Sequence, residues 1–510
     1  MSSDNFYITT PIFYVNDVPH IGHAYTSIAC DVLARFMRLA GKNAQFLTGT
    51  DEHGQKVEKS AEKANIAPQE FVDKTSASFH KMMKTLNISN NDFIRTTEAR
   101  HKKAVMAFWS SLEDSGNIYL GKYDGWYSVR DEAYYSESEL TETGLAPTGA
   151  PVEWVEEPSY FFALSKWQDK LLEYYEQNPE FIWPKSRRNE VISFVKGGLI
   201  DLSISRTSFK WGVPVPGNPE HVIYVWLDAL TNYIAALGYP DERQDFTKFW
   251  PASAHVVGKD ILRFHAVYWP AFLMAAGLDL PKSIVAHGWW TNEGEKISKS
   301  VGNVIDPFKL VEEFGLDQVR YFLMREINFG NDGNFSRDNL ILRNNSELSN
   351  KIGNLLQRTS AFVYKHCDRK VPNIEPAYID VVYETALFQE IATIIDNNIL
   401  QMQAFNINKV IENILHITEL ANAYIDVEAP WALRNTDPEK MQQVLYLLME
   451  TLRYIAIMLQ PFTPDAASNM LSQLNVPDNQ RAFINLNKEY ALQPGATIRE
   501  PKPIFPRLDQ

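Results

Sequence analysis

The chain has 510 residues, 45% of them hydrophobic, and a net charge of −14, which fits about three domains of ~150 residues and argues against a general nucleic-acid binder. Its two cysteines, Cys30 and Cys367, exclude a disulfide framework and a cysteine-built metal cluster, and they fit a reducing cytosol. The opening Met1-Ser2-Ser3-Asp4-Asn5 lacks the basic and apolar stretches of a secretory signal, and no apolar run is long enough for a bilayer, so a cytoplasmic protein without membrane contact is expected.

Along the chain, a β-like run from Asn5 to Pro11 leads into a helical stretch from Ile21 to Ala40. A strand is then expected at Ala44 to Thr48, with helices at Gln55 to Asn65 and Ala99 to Leu112. This alternation predicts a parallel sheet with crossover helices. Ile118 to Tyr135 is aromatic and β-rich, a helical run is read from Phe161 to Gln177, and a Pro/Gly stretch spans Gly212 to Pro219. The αβ alternation resumes with His221 to Val225 and again with Ala254 to Val257, so residues 117–220 read as an insertion into one nucleotide-binding domain. Beyond Asn339, apolar residues recur every three or four positions, as in Ile407, Val410, Ile411, Ile414 and Leu415, which predicts a separate helical bundle.

Two short strings carry the chemistry. His20-Ile21-Gly22-His23 opens the first helix, where unpaired backbone N–H groups and partial positive charge receive phosphate well. Gly22 removes a side chain at the point of close approach, and His20 and His23 share one helix face as donors. Far downstream, Lys296-Ile297-Ser298-Lys299-Ser300 sets two lysines and two hydroxyls beside Gly294 and Gly302, a cationic loop suited to a polyphosphate.

The ordered pair resembles the signature of class I aminoacyl-tRNA synthetases. Pro11 to His23, Thr48 to Gly54, Trp226 to Tyr233, Gly258 to Pro270, His287 to Asn303 and Glu428-Ala429-Pro430-Trp431 together resemble the methionyl-tRNA synthetase family over essentially the whole chain. That resemblance implies a Rossmann-like catalytic domain at 1–116 and 221–285, an inserted connective domain at 117–220, a lysine-serine loop and stem-contact region at 286–340, and an α-helical anticodon-binding domain at 341–510. It implies that Asp51 holds the substrate ammonium, while Ile12, Tyr14, Trp226, Leu230, Tyr233, Ile261 and His265 line a pocket for the methionine thioether. ATP, carrying Mg²⁺ as a substrate, would meet His20, Gly22, His23, Gly258, Asp260, Lys296, Ser298 and Lys299, with His20, His23, Lys296 and Lys299 stabilising charge on the leaving pyrophosphate. Asp260 alone also fits a helix cap, and Asp51 a helix start.

Many relatives carry a zinc knuckle of Cys-x-x-Cys pairs in the insertion. Here the matching positions are Ser128, Asp131, Ala146 and Gly149, so no metal is expected, with packing of Trp126, Tyr127, Tyr134 and Trp154 holding the insertion instead. In the helical domain Asn354, Arg358 and Trp431 match the family's anticodon-reading positions; taken alone, they fit a surface polar pair and a core tryptophan. Implied partners are L-methionine, ATP and tRNA(Met), including the initiator tRNA, and the expected state is a monomer because no appended module follows the helical domain. Three rival readings stand beside this one: a class I synthetase for another apolar amino acid, a small-molecule nucleotidylyltransferase, and an inactive tRNA-binding relative.

Overall fold

The strand Asn5–Thr9 buries Tyr7, Ile8 and Thr9 in succession, the double-sided burial typical of a parallel sheet covered on both faces. In the computed structural model it lies inside a seven-stranded sheet of order Phe13–Tyr14, Asn43–Asp51, Asn5–Thr9, Ala254–Gly258, Ile284–His287 and Ile182–Trp183, with Asp92–Arg95 also paired to Asn43–Asp51. The pairings of Asn5–Thr9 with Ala254–Gly258, and onward to Ile284–His287 and Ile182–Trp183, are parallel, as are those of Phe13–Tyr14 and Asp92–Arg95 with Asn43–Asp51. The structure describes residues 4–15, 18–131, 133–135, 137–241, 244–297 and 303–509, with backbone alone at 123, 124, 133, 134 and 296.

By its packing the chain divides into two compact units. One comprises Asn5–Cys30 and Gln45–His287, the other Met1–Asp4, Asp31–Ala44 and Gly288–Gln510. In the first unit the crossover helices Gln55–Lys63, Pro68–Thr85 and Ala99–Asp114 accompany the parallel sheet, and the core gathers Tyr7, Leu47, Ile94, Phe108, Trp109 and Trp269. An antiparallel sheet follows, in which Ile118–Ser128 pairs with Glu153–Phe162 from Ile118↔Phe162 to Tyr127↔Glu153. Phe161, expected to open a helix, is still strand, because its partner Tyr119 stacks on it at 5.6 Å; the helix proper is Gln168–Gln177.

Two strands fall where periodicity did not put them. Ile182–Trp183, within the stretch read as an insertion, pairs with Ile284 and Val285 at the edge of the parallel sheet. The strand Asn218–Ile223, which takes in the start of the His221–Val225 run read as the resumption of the αβ pattern, pairs antiparallel with Ser205–Arg206 and Pro214–Val215. A short apolar run reveals that it is extended; which neighbour it pairs with depends on the whole topology.

Among the described residues the second unit is mainly helical, with a small sheet of Glu295–Lys296, Trp290–Asn292 and Gly333–Phe335. Proline opens the helices Pro307–Phe314, Pro376–Glu384, Pro430–Thr436, Pro438–Leu459 and Pro464–Gln473, where its missing N–H costs nothing. Asp306 and Asp437 cap two of them, accepting from Lys309 and Lys440 backbone N–H groups, respectively. Helix Pro438–Leu459 is buried continuously from Val444 to Leu459 and carries a buried ion pair, Glu450 with Arg453. The Glu450 carboxylate also accepts from the Tyr383 hydroxyl at 2.6 Å and the Leu492 N–H at 3.1 Å, while Arg453 donates to the Asn485 carbonyl at 2.8 Å. Among the described residues no helix is long and apolar enough to cross a membrane.

Removing one member of such a pair leaves a buried, uncompensated charge. Glu450→Ala is expected to destabilise the helical unit by roughly 3–5 kcal/mol in urea unfolding. A loss below ~1 kcal/mol would show that Arg453 finds its full complement elsewhere.

Candidate active site

The helix Ile21–Leu39 begins one residue after His20, just past the strand ends of the parallel sheet. Here the backbone fixes both imidazoles. The N–H of His20 donates to His23 Nδ1 at 3.1 Å, and the N–H of Gly22 donates to His20 Nδ1 at 3.1 Å. An Nδ1 that accepts cannot carry a proton, so each ring holds its hydrogen on Nε2 and is a neutral donor there. Burial lowers the pKa of His20, against an upward pull from Asp260. Burial also takes His23 well below its ordinary value, helped by His20. The two rings stack at 3.8 Å, and Phe13 and Phe79 stand edge-on to His23 at 5.0 and 5.2 Å. A Cβ on Gly22 would lie 2.9 Å from His20 Cε1, so the glycine makes room for the ring as well as for any ligand.

Beside this turn the strand Ala254–Gly258 ends at Gly258, where an added Cβ would meet the Asp260 carboxylate at 2.5 Å. Asp260 is exposed, and its charge reaches His20. His287, at the end of the next strand, shares a 2.7 Å hydrogen bond with Thr26 of the His20–His23 helix; it opens the His287–Asn303 string, but no role follows for it from sequence alone.

The residues expected to form the thioether pocket lie on three neighbouring segments of the same unit. Leu230 and Tyr233 are 1% exposed, and Ile12, Tyr14, Trp226 and Ile261 are half-buried. His265 sits in a π-helical turn, Phe264–Tyr268, a widened turn that often marks functional sites. Its Nδ1 donates to the Ile261 carbonyl at 3.0 Å, so Nε2 accepts from the Tyr233 hydroxyl at 2.7 Å. Two further aromatic rings pack against these residues and were missed from sequence. Phe264 stacks on Trp226 at 3.8 Å, and His255 stacks on Tyr233 at 4.0 Å. Phe264 lies inside the Gly258–Pro270 string, so a signal was present; His255 lay in what read only as a strand. Asp51, 8% exposed, ends the strand Asn43–Asp51.

The knuckle region has a different centre from the one expected. Asp131 accepts from the Tyr135 hydroxyl at 3.1 Å, from the Arg130 guanidinium at 3.3 Å and from the Thr148 hydroxyl. Its own N–H donates to the Ser128 hydroxyl at 3.2 Å. Of the aromatic residues expected to hold the insertion, Trp126 and Trp154 meet edge-to-face at 5.4 Å but Trp154 is half exposed, Tyr127 is buried under the Arg206 guanidinium, and the Tyr134 side chain lies outside the described residues. Ser128, Asp131, Ala146 and Gly149 offer one carboxylate and no thiolate, and that carboxylate is engaged by hydrogen-bond donors, so the set does not fit zinc.

In the helical unit Asn354 and Arg358 lie one turn apart on helix Asn354–His366, Asn354 exposed. Arg358 pairs with Asp426 at 2.6 Å, and its guanidinium lies 5.3 Å from the Trp431 ring centre. Trp431 is half exposed, at the start of a helix that follows Ala429, a left-handed alanine at φ 43°. Such a conformation is strained for a residue with a Cβ and turns the chain sharply between two helices. Lys296 begins the lysine-serine string at the end of a short strand, its side chain outside the described residues, as are Ser298 and Lys299 altogether.

A parallel sheet with an imidazole pair at its first crossover in one unit, and a largely helical second unit, are what the resemblance to class I synthetases implies. The sequence matches the family model described as tRNA synthetases class I (M) over residues 6–149 and 139–360, and the anticodon binding domain of methionyl tRNA ligase over residues 379–510. The methionine–tRNA ligase of Rickettsia felis is 67% identical over 506 residues, covering 99% of each chain, and that of Mesorhizobium japonicum is 52% identical. A solved Mycobacterium tuberculosis methionyl-tRNA synthetase in complex with methionyl-adenylate superposes with a TM-score of 0.94 at 46% identity, over 99% of this chain and 100% of that one. The chain belongs to the methionyl-tRNA synthetase family.

Burial holds the His265 pKa down at about 4, against the upward pulls of the Ile261 carbonyl and Asp260. An unfolded histidine takes its proton near 6.5, so the stabilisation from keeping His265 neutral is complete above that pH and is lost as pH falls from 6.5 towards 4, roughly 3 kcal/mol in all. An NMR titration is expected to find His265 neutral at pH 5.5; a midpoint near 6.5 would contradict the buried, doubly bonded geometry.

Proposed function

We propose that the protein is a methionine–tRNA ligase, which activates L-methionine with ATP to methionyl-adenylate and pyrophosphate and then transfers methionine to the 3′-terminal adenosine of tRNA(Met), including the initiator tRNA. The observation that carries this reading is the pair of neutral Nε2–H imidazoles at the first helix start, beside the strand ends that carry Gly258 and Asp51. The relationship to the ligases described above supports it.

In the first step the methionine carboxylate attacks the α-phosphorus of ATP, and pyrophosphate leaves. The reaction calls for positioning and charge stabilisation, with no protein nucleophile. His20 and His23 donate to phosphate oxygens, and Lys296, Ser298 and Lys299 supply the cationic and hydroxyl contacts to the leaving pyrophosphate. Gly258 leaves room at its strand end, and Asp260 accepts from the ribose hydroxyls. Asp51 holds the ammonium, and Ile12, Tyr14, Trp226, Leu230, Tyr233, Ile261 and His265 enclose the thioether. Because the Tyr233 hydroxyl proton is committed to His265, the sulfur meets polarizable ring surface and a hydroxyl oxygen edge, a setting that favours a thioether over a more polar side chain. ATP brings Mg²⁺ as part of the substrate.

In the helical unit the Trp431 face stacks on an unpaired base while Asn354 and Arg358 read base edges. The division into a split catalytic domain at 1–116 and 221–285, an insertion at 117–220, a loop and stem-contact region at 286–340 and an anticodon domain at 341–510 belongs to this reading. So do a cytoplasmic location, a monomeric state and an insertion that binds no zinc.

Exchange of labelled pyrophosphate into ATP, measured without tRNA, tests the proposal. Methionine is expected to support exchange, while leucine, isoleucine and valine are not. Lys299→Ala is expected to slow it about a hundredfold, the ~3 kcal/mol typical of losing one preorganised charge contact. Exchange with another amino acid instead would refute the pocket assignment, and no exchange with any would return the nucleotidylyltransferase reading.

A further inference from the structure

Asp228 is completely buried, yet it receives two imidazoles. His53 Nδ1 lies 2.6 Å from one carboxylate oxygen and His101 Nε2 lies 2.7 Å from the other, with both residues buried. Burial on its own would push the Asp228 pKa up, but the two histidines hold it well below the usual carboxylate range. An ionised carboxylate only accepts, so both ring nitrogens donate to it. Burying a charge in a core of apolar side chains is costly unless it is paired and hydrogen-bonded, so this group is held for a geometric purpose or as structural glue.

The three residues belong to three segments. His53 is two residues beyond Asp51 in the turn between strand Asn43–Asp51 and helix Gln55–Lys63. Asp228 lies in helix Val225–Leu230, between Trp226 and Leu230. His101 lies in the first turn of helix Ala99–Asp114. The turn is secured on its other side by Glu52, whose carboxylate accepts from Arg95 at 2.6 and 3.0 Å, from the Thr97 hydroxyl at 2.5 Å and from the Thr50 hydroxyl at 2.7 Å. Trp211 closes the frame: its Nε1–H donates to the Glu52 carbonyl at 2.6 Å, and its carbonyl accepts from the Gly54 N–H at 3.0 Å. Glu52 and His53 therefore staple the turn after Asp51 in two directions, and only the His53 staple leads to the helix carrying Trp226 and Leu230.

We propose that His53, Asp228 and His101 are positioning residues that set the distance between the ammonium-binding carboxylate of Asp51 and the thioether-binding wall of Trp226 and Leu230. The inference rests on the methionine ligase reading and extends it. A substrate bridging both contacts gains from both only if their separation matches its length, so the buried bridge acts as a gauge for the amino acid that fits. His101 positions without touching the site: it fills the second carboxylate oxygen and holds Asp228 at one orientation.

The test uses the full-length protein in pyrophosphate exchange, with 4-methylthiobutanoate, which has the thioether and carboxylate but no amine, as a competitive inhibitor. Asp228→Asn is expected to raise the KM for methionine at least tenfold while the KM for ATP and the inhibition constant of the deaminated analogue stay within twofold. His53→Asn, which keeps a donor where Nδ1 stood, is expected to recover most of the methionine affinity that His53→Ala loses. In an Asp51→Asn background, Asp228→Asn should add less than threefold. The proposal is overturned if Asp228→Asn weakens methionine and the deaminated analogue alike, if the two effects multiply in the double variant, or if His53→Asn and His53→Ala behave the same. Should Asp228→Asn melt at a much lower temperature, the His53 pair and His101→Gln decide the matter, since they leave the carboxylate in place. Absence of methionine-dependent exchange in the unsubstituted protein would overturn the ligase reading itself, a result distinct from all of these.

Discussion

A parallel sheet leaves the carboxyl ends of its strands along one edge, and each strand must then turn into a crossover before the chain can return. In the unit built on Asn5–Thr9, that edge gathers the start of the His20–His23 helix, Asp51, Gly258 and His287 from strands far apart in sequence. None of these groups would meet without the sheet order, and the crossovers supply the free backbone N–H groups that dictate how the imidazoles point. At the first crossover those N–H groups are spent on ring nitrogens, which converts two titratable side chains into neutral, directed donors. In the proposed reaction, phosphate would meet donors of fixed orientation whose strength does not depend on protonation near neutrality.

Buried carboxylates join segments distant in sequence in both units. Asp228 holds two histidines from two different segments, the turn before helix Gln55–Lys63 and the helix Ala99–Asp114. In the other unit Asp31 receives both Arg35 and the completely buried Arg320, which in turn donates to the carbonyls of Pro461 and Phe462. Glu450 and Arg453 do the same for the C-terminal tail at Asn485 and Leu492. Apolar side chains of the same volume would pack as well, but their contacts slide; a carboxylate with several donors has one low-energy orientation. The knuckle around Asp131 uses this device on a smaller scale at the surface, with hydroxyls and a guanidinium where thiolates and a metal would serve.

Much of this was legible in the sequence. Helix Ile21–Leu39, helix Ala99–Asp114 and the parallel character of the first sheet followed from apolar spacing, because both faces of that sheet are covered. The strings around Trp226 and His265 led to the proposed pocket residues, and Phe264, which stacks on Trp226 from inside the same string, was overlooked because a lone aromatic reads as core. Sheet membership was not legible: Ile182–Trp183 and Asn218–Ile223 are both short extended runs, and the first completes the parallel sheet while the second does not. The Asp228 bridge was invisible for a related reason. His53, His101 and Asp228 are separated by 175 and 127 residues along the chain, and no local pattern marks a carboxylate that will be buried between two rings.

The proposed phosphate chemistry depends on the first crossover holding His20 and His23 as neutral Nε2–H imidazoles. Histidine-labelled ¹⁵N NMR at pH 7 reads this directly, with His20→Gln and His23→Gln proteins used for assignment. Both residues are expected to give Nε2-protonated, Nδ1-accepting spectra, with neither ring charged until the pH falls below 6.5. A protonated Nδ1 or an imidazolium at pH 7 in either ring would contradict it.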